Sequence, residues 1–113
     1  MIDCVFCKRI LHREYDYKYS NLDTVQFEPL NPVVPGHMLF VPLVHVEEAA
    51  IMPPITGDVF QAAAMWAEFI HKPFNLITSA GSAATQTVKH LHVHYIPRRK
   101  DDGLHLPWTG QVK

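Results

Sequence analysis

The most restrictive feature of this sequence is the segment HLHVH at positions 90–94, in which histidine alternates with aliphatic residues. Alternation with a period of two is typical of a β-strand that is buried on one side. We therefore predict a strand from Val88 to Ile96, with His90, His92 and His94 on one face and aliphatic side chains on the other. Such a strand must belong to a sheet, and another layer of the fold must cover its aliphatic face.

The rest of the chain predicts a small number of further elements. Pro35-Gly36 matches the second and third positions of a type II turn. Strands followed by one long helix and then by further strands are typical of an antiparallel α+β fold rather than of parallel βαβ units. The predicted elements are strands at Thr24–Glu28, His37–Val41 and Phe74–Thr78, and a helix at Gly57–His71 with Thr56 as its N-cap.

Length and charge limit the classes of function. The chain has 113 residues, which is the usual size of one domain, and we predict a single domain over 1–113. Ten basic and eleven acidic residues give a net charge of −1, so no overall field attracts nucleic acid or an anionic membrane. We expect a cytoplasmic protein, since the sequence has no signal peptide, no long apolar run and too few cysteines for a disulfide framework.

The three histidines allow more than one kind of site. One alternative is a solvent-exposed strand face that happens to be rich in histidine. Thr, Lys or Glu would serve such a face equally well, so histidine at all three positions indicates a specific function. Three histidines can bind zinc, but neighbours at i and i+2 lie about 7 Å apart along a strand, which is awkward for one ion. A neutral imidazole is a good nucleophile toward phosphorus and can form a covalent intermediate. We therefore interpret the segment as a nucleophilic and electrostatic site.

The loop before this strand contains small and polar residues that suit a phosphate. Gly81 can expose backbone N–H groups in an anion-binding nest, and the side chains of Gln86 and Thr87 add hydrogen-bond donors. A plain flexible connection is an equally common explanation for such a loop. After the strand, Arg98-Arg99-Lys100 offers two explanations as well: a contact for the outer phosphates of a polyphosphate, or a solvated turn beside Asp101-Asp102.

Three parts of the sequence resemble the histidine-triad (HIT) superfamily: segment 86–97 with its alternating histidines, segment 27–45 with PVVPGH and a VPxxH ending, and the start Cys4-x-x-Cys7. The resemblance implies an α+β fold with an antiparallel sheet of about five strands, one long helix and a short N-terminal helix. It also implies a homodimer. The implied activity is that of a nucleotide-phosphate hydrolase or transferase acting at the α-phosphate of a dinucleoside polyphosphate or a nucleoside phosphoramidate.

The resemblance also implies roles for individual residues. The middle histidine of the motif, His92 here, attacks the α-phosphate and forms a nucleotidyl-histidine, from which water or another acceptor releases the nucleotide. The positions that match substrate-contacting residues are His94, Gln86, Thr87 and Ser79 near the phosphate, and Phe27 and Leu30 in the base and ribose pocket.

A structural zinc site is a further implication of the resemblance. Cys4 and Cys7 have the spacing of half a zinc site, and some superfamily members combine this pair with histidines at the positions of His45 and His90. These four residues would close a tetrahedral site with no open position. The alternative is two reduced, inert cysteines beside a histidine that shapes the active site.

The sequence departs from the family pattern at three positions. Pro29 stands where many members carry a ribose-binding Asp or Asn, Ser79 where members have Asn, and Thr85 where members have Gly. Threonine is less permissive than glycine at positive φ. These departures support a second functional hypothesis, a nucleotide-binding module with little or no turnover.

Overall fold

The computed structural model describes residues 3–109, and its elements confirm the predicted fold class. A five-stranded antiparallel sheet has the order β1-β2-β3-β5-β4. It is combined with one short N-terminal helix, one long helix and two single-turn 3-10 helices, Ser20–Leu22 and Ser82–Ala84. The helices and strands are α1 (Val5–Leu11), β1 (Tyr17–Tyr19), β2 (Thr24–Phe27), β3 (Met38–Pro42), α2 (Pro53–Ile70), β4 (Phe74–Ile77) and β5 (Val93–Pro97).

The sheet is covered on both faces, which explains why its central strands are buried along their length. On one face Phe40, Val93 and Tyr95 pack against α2, whose contact residues include small alanines that let the helix lie close to the sheet. On the other face a second apolar cluster joins Phe6 of α1 to the side chains of β2 and β3. His94 lies opposite Leu39 in the β3–β5 pairing, so it belongs to the α1 face.

The predicted start of the long helix is wrong. The helix begins at Pro53 rather than Gly57, and the two prolines occupy its first turn, where a missing N–H has no helical partner to lose. The N-cap is Met52, so Thr56 lies inside the helix, where its hydroxyl donates to the carbonyl of Ala49 over 2.6 Å. The helix ends one residue before the prediction, and His71 follows in the left-handed conformation with φ of 57°.

The predicted strand Val88–Ile96 is shorter than expected, because β5 begins only at Val93. Pro42 ends the partner strand β3, and it has no N–H with which to continue the ladder. The backbone of the preceding segment bonds elsewhere: the N–H of Leu91 donates to the carbonyl of Val46 over 2.6 Å. His90 and His92 therefore precede the strand, and only His94 lies in it, so the prediction of three imidazoles on one strand face is wrong.

The other boundaries agree to within one residue, while β1 was not identified in the sequence. Within residues 3–109, no helix combines the length and the apolar character needed to cross a membrane.

The turn before β3 depends on a glycine. The N–H of His37 donates to the carbonyl of Val34 over 3.2 Å, and Gly36 has φ of 90°, as the predicted type II turn requires. A Cβ atom at Gly36 would lie 3.2 Å from Cγ of Pro97. Both the backbone conformation and the available space therefore favour glycine.

We predict that Gly36→Ala lowers the free energy of unfolding by about 1–2 kcal/mol, the cost of placing a side chain at positive φ. Urea unfolding of both proteins measures the difference. Gly57→Ala is the matched control: a Cβ atom there meets nothing within 4 Å, and alanine is the better helix former, so stability should be unchanged or higher. Equal stability of Gly36→Ala and the natural sequence would contradict the prediction.

Candidate active site and metal centre

A cavity of about 380 Å³ opens beside β4 and β5 and contains the candidate catalytic histidines. His92 and His94 line it together with His37, and their polar neighbours in the wall are Asn75, Ser79, Thr85, Thr87, Arg98 and His105. The ring centroids of His92 and His94 are 5.1 Å apart. The structure thus brings together two of the three predicted histidines and adds a third from the start of β3.

His92 is held in one tautomer by the backbone. Its Nδ1 lies 2.7 Å from the carbonyl oxygen of His90, and because a carbonyl can only accept, Nδ1 carries the proton. A neutral His92 therefore has its lone pair on Nε2. His92 is only 8% exposed, and this burial lowers its pKa, which favours the neutral form. Phe6 packs against the imidazole in an edge-to-face arrangement, with centroids 5.1 Å apart.

His37 and His94 form a second chain of directed hydrogen bonds. The N–H of Val33 donates to Nδ1 of His37 over 3.1 Å, which leaves the His37 proton on Nε2. That Nε2–H donates to Nδ1 of His94 over 2.9 Å, so neutral His94 carries its own proton on Nε2. Burial, with smaller contributions from His92 and His37, lowers the pKa of His94 to about 4. The site therefore pairs a lone pair on His92 with an N–H donor on His94.

His37 is a histidine of this site to which the sequence assigned no role. It follows the Pro35-Gly36 turn directly, and the pairing of Leu39 with His94 places it diagonally across from His94 on the same sheet face. The signal that could have found it is therefore the register of the two strands. That register requires long-range pairing, which a local pattern does not contain.

The loop before β5 is braced by Gln86. Its side-chain carbonyl accepts from the N–H of Gly81 over 2.9 Å, and its amide group donates to the carbonyls of Glu47 and Val88 over 2.7 and 3.0 Å. Gln86 does not line the cavity, whereas Thr87 and Ser79 do. The sequence assigned Gln86 to phosphate contact, but in this structure its donors hold the loop in shape.

Thr85 occupies the backbone position where the family favours glycine. Its φ is 70° and its ψ is 27°, in the left-handed region that a threonine rarely adopts. The backbone of this loop therefore keeps a conformation that suits glycine, although the residue has changed. The strain is local, because the neighbouring hydrogen bonds of Gln86 are intact.

The two predicted base-pocket residues lie away from the cavity. Phe27 is 1% exposed; its ring packs against Phe6 with centroids 5.5 Å apart, and the guanidinium of Arg9 lies 4.1 Å above it. Leu30 is 89% exposed. Neither side chain is part of the cavity wall.

A second group of side chains, which includes His90, contains four potential metal ligands close together. The Cys2His2 cluster consists of Cys4, Cys7, His45 and His90, whose ligand atoms all lie within 4.8 Å of one another. Nδ1 of His90 is 3.4 Å from Sγ of Cys4 and 3.5 Å from Sγ of Cys7. Nδ1 of His45 is 3.3 Å from Sγ of Cys7 and 3.1 Å from Nδ1 of His90. These four residues could hold a metal ion.

The distances fit a tetrahedral ion with thiolate and imidazole ligands. Zinc bond lengths place a sulfur and a nitrogen ligand about 3.5 Å apart and two nitrogen ligands about 3.3 Å apart at tetrahedral angles. The tautomer also fits: Nε2 of His90 lies 3.0 Å from the carbonyl of Pro42, so Nε2 carries the proton and Nδ1 presents its lone pair to the two sulfurs. Metal-bound histidines commonly make this kind of outer hydrogen bond.

A comparison with protein families decides what kind of protein this is, since a family model described as the HIT domain matches residues 15–101. The chain belongs to the HIT domain family. An uncharacterized HIT-like protein of Borreliella burgdorferi is 33% identical over an alignment of 112 positions, which covers 91% of this chain and 81% of that protein.

Two further HIT relatives carry names of nucleotide hydrolases. The asymmetrical bis(5′-nucleosyl)-tetraphosphatase of Schizosaccharomyces pombe is 37% identical over an alignment of 90 positions, which covers 74% of this chain and 50% of that protein. The adenosine 5′-monophosphoramidase of Saccharomyces cerevisiae is 30% identical over an alignment of 118 positions, which covers 96% of this chain and 71% of that protein. The HIT relatives of this chain thus include hydrolases of two substrate types.

Solved HIT structures have the same fold. A HIT family hydrolase from Clostridium thermocellum matches with a TM-score of 0.75 and 30% identity, covering 94% of this chain and 99% of that one. A Zn-bound histidine triad family protein from Mycobacterium smegmatis matches with a TM-score of 0.73 and 30% identity, covering 92% and 81%. These matches confirm the predicted HIT-like fold.

The depressed pKa of His94 predicts acid sensitivity. The folded protein keeps His94 neutral down to a pKa of about 4, whereas an unfolded histidine takes up a proton near pH 6.5. Between these values the unfolded chain binds more protons, so the free energy of unfolding should fall as the pH drops from 6.5 toward 4. His94→Gln should weaken this dependence. Urea titrations across this pH range give the free energy of unfolding of both proteins. Its dependence on pH should be the same for the two proteins above pH 7 and weaker for His94→Gln below pH 6.5. The same pH dependence of both proteins below pH 6.5 would contradict the prediction.

Proposed function

We propose that this HIT protein is a nucleotide-phosphate hydrolase or transferase that acts at the α-phosphate through a covalent nucleotidyl intermediate on His92. The observation that carries the proposal is the 2.7 Å hydrogen bond from Nδ1 of His92 to the carbonyl of His90. It keeps the proton on Nδ1 and leaves the lone pair on Nε2 of a residue in the cavity wall. An imidazole in this state needs no separate base before it attacks phosphorus.

The hydrogen bonds suggest how the two steps proceed. Nε2 of His92 forms a bond to the α-phosphorus, and the bond from phosphorus to the leaving group breaks. The Nε2–H of His94 donates a hydrogen bond to the departing atom, and the leaving group takes its proton from solvent water, so that His94 and His37 both stay neutral. The nucleotidyl-imidazolium carries a positive charge, which the His90 carbonyl stabilises through Nδ1–H. Water or another acceptor then attacks phosphorus and releases its proton to solvent, and the bond from phosphorus to Nε2 breaks, which returns His92 to its neutral form.

Two observations support this proposal beyond the hydrogen bonds. Relatives named as a nucleosyl tetraphosphatase and an adenosine monophosphoramidase match this chain at 37% and 30% identity. Thr87 and Ser79 place hydroxyl groups in the same cavity wall as His92, where they can donate to a phosphate. Both dinucleoside polyphosphates and nucleoside phosphoramidates are candidate substrates of this mechanism.

We predict that His92→Ala and His92→Asn lower turnover by several orders of magnitude while nucleotide still binds, because each removes the nucleophile. Incubation with an α-labelled nucleotide, stopped with detergent at alkaline pH, should show an alkali-stable label on the natural protein that later acid treatment removes, and no label on either variant. His12→Ala is the control, since His12 is exposed and lies outside the cavity wall. Near-normal turnover in His92→Ala would rule out the mechanism.

The same experiment decides the second hypothesis, a nucleotide-binding module with little or no turnover. Thr85 favours that alternative, because it adds a side chain to the cavity wall at a left-handed position where the family has glycine. Binding without covalent label at any time in the natural protein would support the module.

We also propose that the Cys2His2 cluster holds a structural zinc ion. The fit of its distances to tetrahedral geometry supports this, as does the Zn-bound histidine triad protein from Mycobacterium smegmatis. Four protein ligands leave no open position for water, so the ion would supply structural cross-linking and no Lewis-acid chemistry. It would link α1, through Cys4 and Cys7, to the segment that carries His90.

Elemental analysis of protein purified without chelator or His-tag tests this proposal. We predict about one zinc per chain, since the four ligands close one tetrahedral site. Cys4→Ser should lose the metal and lower the melting temperature, because structural zinc contributes folding free energy. Val5→Ala is the control: Val5 is the exposed neighbour of Cys4 and should keep both metal and stability. A metal-free natural protein with the same melting temperature as Cys4→Ser would exclude the site.

The homodimer and the cytoplasmic location stay proposals. Exposed apolar side chains on α2 and on the edge strand β4, among them Phe69 and Phe74, support an association through this side of the molecule.

A further inference from the structure

The cavity contains an arginine whose charge is already neutralised. The guanidinium of Arg98 donates to both carboxylate oxygens of Asp102, from Nε over 2.8 Å and from Nη2 over 3.0 Å. It also donates to the side-chain oxygen of Asn75 over 2.7 Å and to the carbonyl of Leu104 over 3.1 Å. Four hydrogen bonds thus occupy a group that has five N–H donors. Arg98 is neither a solvated charge nor a free phosphate contact, whereas the exposed Arg99 and Lys100 agree with the solvated turn that the sequence offers as one explanation.

Asp102 is fixed as firmly as its partner. Its side chain is 3% exposed, and it also accepts from the backbone N–H groups of Arg99 and Leu104 over 3.2 and 3.0 Å. The Arg98 guanidinium and these N–H groups hold the pKa of Asp102 well below its usual range. The carboxylate is therefore ionised at neutral pH, and the Arg98–Asp102 pair has no net charge.

The Arg98–Asp102 pair also fixes the position of a backbone segment that forms one wall of the cavity. Leu104 is bound through its carbonyl to Arg98 and through its N–H to Asp102, and Leu104, His105 and Leu106 all line the cavity. Aliphatic residues of β4 and β5, Ile77 and Ile96, continue this wall. The wall beside the histidines is therefore largely apolar.

The charge of the cavity follows from its described lining residues. Among those within residues 3–109, Arg98 is the only one with a permanent charge, and no carboxylate is part of the wall. Since Asp102 cancels that charge from behind the wall, none of these described lining residues offers a free cation to a polyanion. An arginine that lines a phosphate-handling cavity would otherwise be its strongest anion contact.

We propose that the Arg98–Asp102 pair is a specificity determinant, which makes the cavity select an uncharged leaving group, such as an amine, over a polyphosphate. This inference rests on the proposed function and specifies its substrate class. A polyphosphate leaving group carries several negative charges, which would lose hydration against Leu104, Leu106 and Ile96 without a free cation in exchange. An uncharged leaving group has no such penalty, and discrimination of this kind acts against the wrong substrate.

The experiment compares two substrates that share the adenylyl group. One is an adenosine 5′-phosphoramidate of a neutral amine, and the other is diadenosine tetraphosphate. The natural protein should have the higher kcat/KM for the phosphoramidate. Asp102→Asn, which leaves the Arg98 charge uncompensated, should raise the ratio of kcat/KM for the tetraphosphate to that for the phosphoramidate about tenfold or more. Added salt should reduce this gain, because it screens the newly free charge.

Two further variants separate charge from shape. Asp101→Asn removes one negative charge from the exposed neighbour and should leave the ratio unchanged. The double variant Arg98→Met/Asp102→Asn removes both charges and should restore the low ratio of the natural protein. A high ratio in the double variant would mean that the shape of the wall, rather than the charge of Arg98, sets selectivity, and would overturn the proposal.

One test uses the natural protein alone and does not depend on whether a variant folds. A higher kcat/KM for the tetraphosphate than for the phosphoramidate would overturn the proposal. Urea unfolding shows whether Asp102→Asn is folded, and an unchanged ratio in a folded variant would also overturn it. Calorimetric dissociation constants for the same two compounds, measured on His92→Asn, give the selectivity without turnover. Absence of turnover in the natural protein with selective binding of the phosphoramidate would therefore contradict the proposed function and still support this inference.

Discussion

The hydrogen bond from Nε2 of His90 to the carbonyl of Pro42 connects the sheet to both candidate centres. Pro42 has no N–H, so the pairing of β3 with β5 stops before it, and its carbonyl accepts from a side chain instead. This bond turns Nδ1 of His90 toward the two cysteines. Because the backbone of residue 90 lies outside the ladder, its carbonyl is free to accept from Nδ1 of His92. One residue thus holds the metal-ligand cluster with its side chain and the candidate nucleophile with its backbone.

The cavity shows how two identical side chains acquire opposite chemistry. His92 is bonded through Nδ1 to an acceptor, so its lone pair is on Nε2, whereas His94 is bonded through Nδ1 to a donor, so its Nε2 carries a proton. The backbone carbonyl of His90 sets the proton position of His92. The backbone N–H of Val33 sets that of His94, because it fixes the proton of His37, which donates to His94. Burial lowers the pKa of all three histidines. The neutral forms, whose tautomers these hydrogen bonds control, are therefore the ones present near neutral pH.

Local sequence patterns predicted which helices and strands form. They did not predict features that depend on contacts between distant residues, such as a strand boundary or a buried charge pair. The alternation of residues 90–94 predicts a strand, but the strand starts late because Pro42, far away in the sequence, ends its partner. The spacing of Cys4 and Cys7 predicts half a metal site, and the resemblance supplied His45 and His90, which the fold brings within ligand distance. The sequence could not predict that Asp102 neutralises Arg98, because basic and acidic residues close together in sequence also occur in solvated turns, where they form no buried pair. Only the buried geometry of that turn distinguishes the two cases.

The short helix α1 contributes more to the cavity than its length suggests. Seven residues do not form a stable helix alone, so α1 must be held by its contacts. Phe6 packs against Phe27 on the sheet and edge-on against His92, while Cys4 and Cys7 on either side of Phe6 belong to the Cys2His2 cluster. The Phe6 ring excludes water from one side of the His92 imidazole, which contributes to the desolvation that lowers its pKa. The Cys2His2 cluster therefore helps to keep this apolar cover on the candidate nucleophile, and loosening the cluster would expose His92 to water even with every residue of the cavity unchanged.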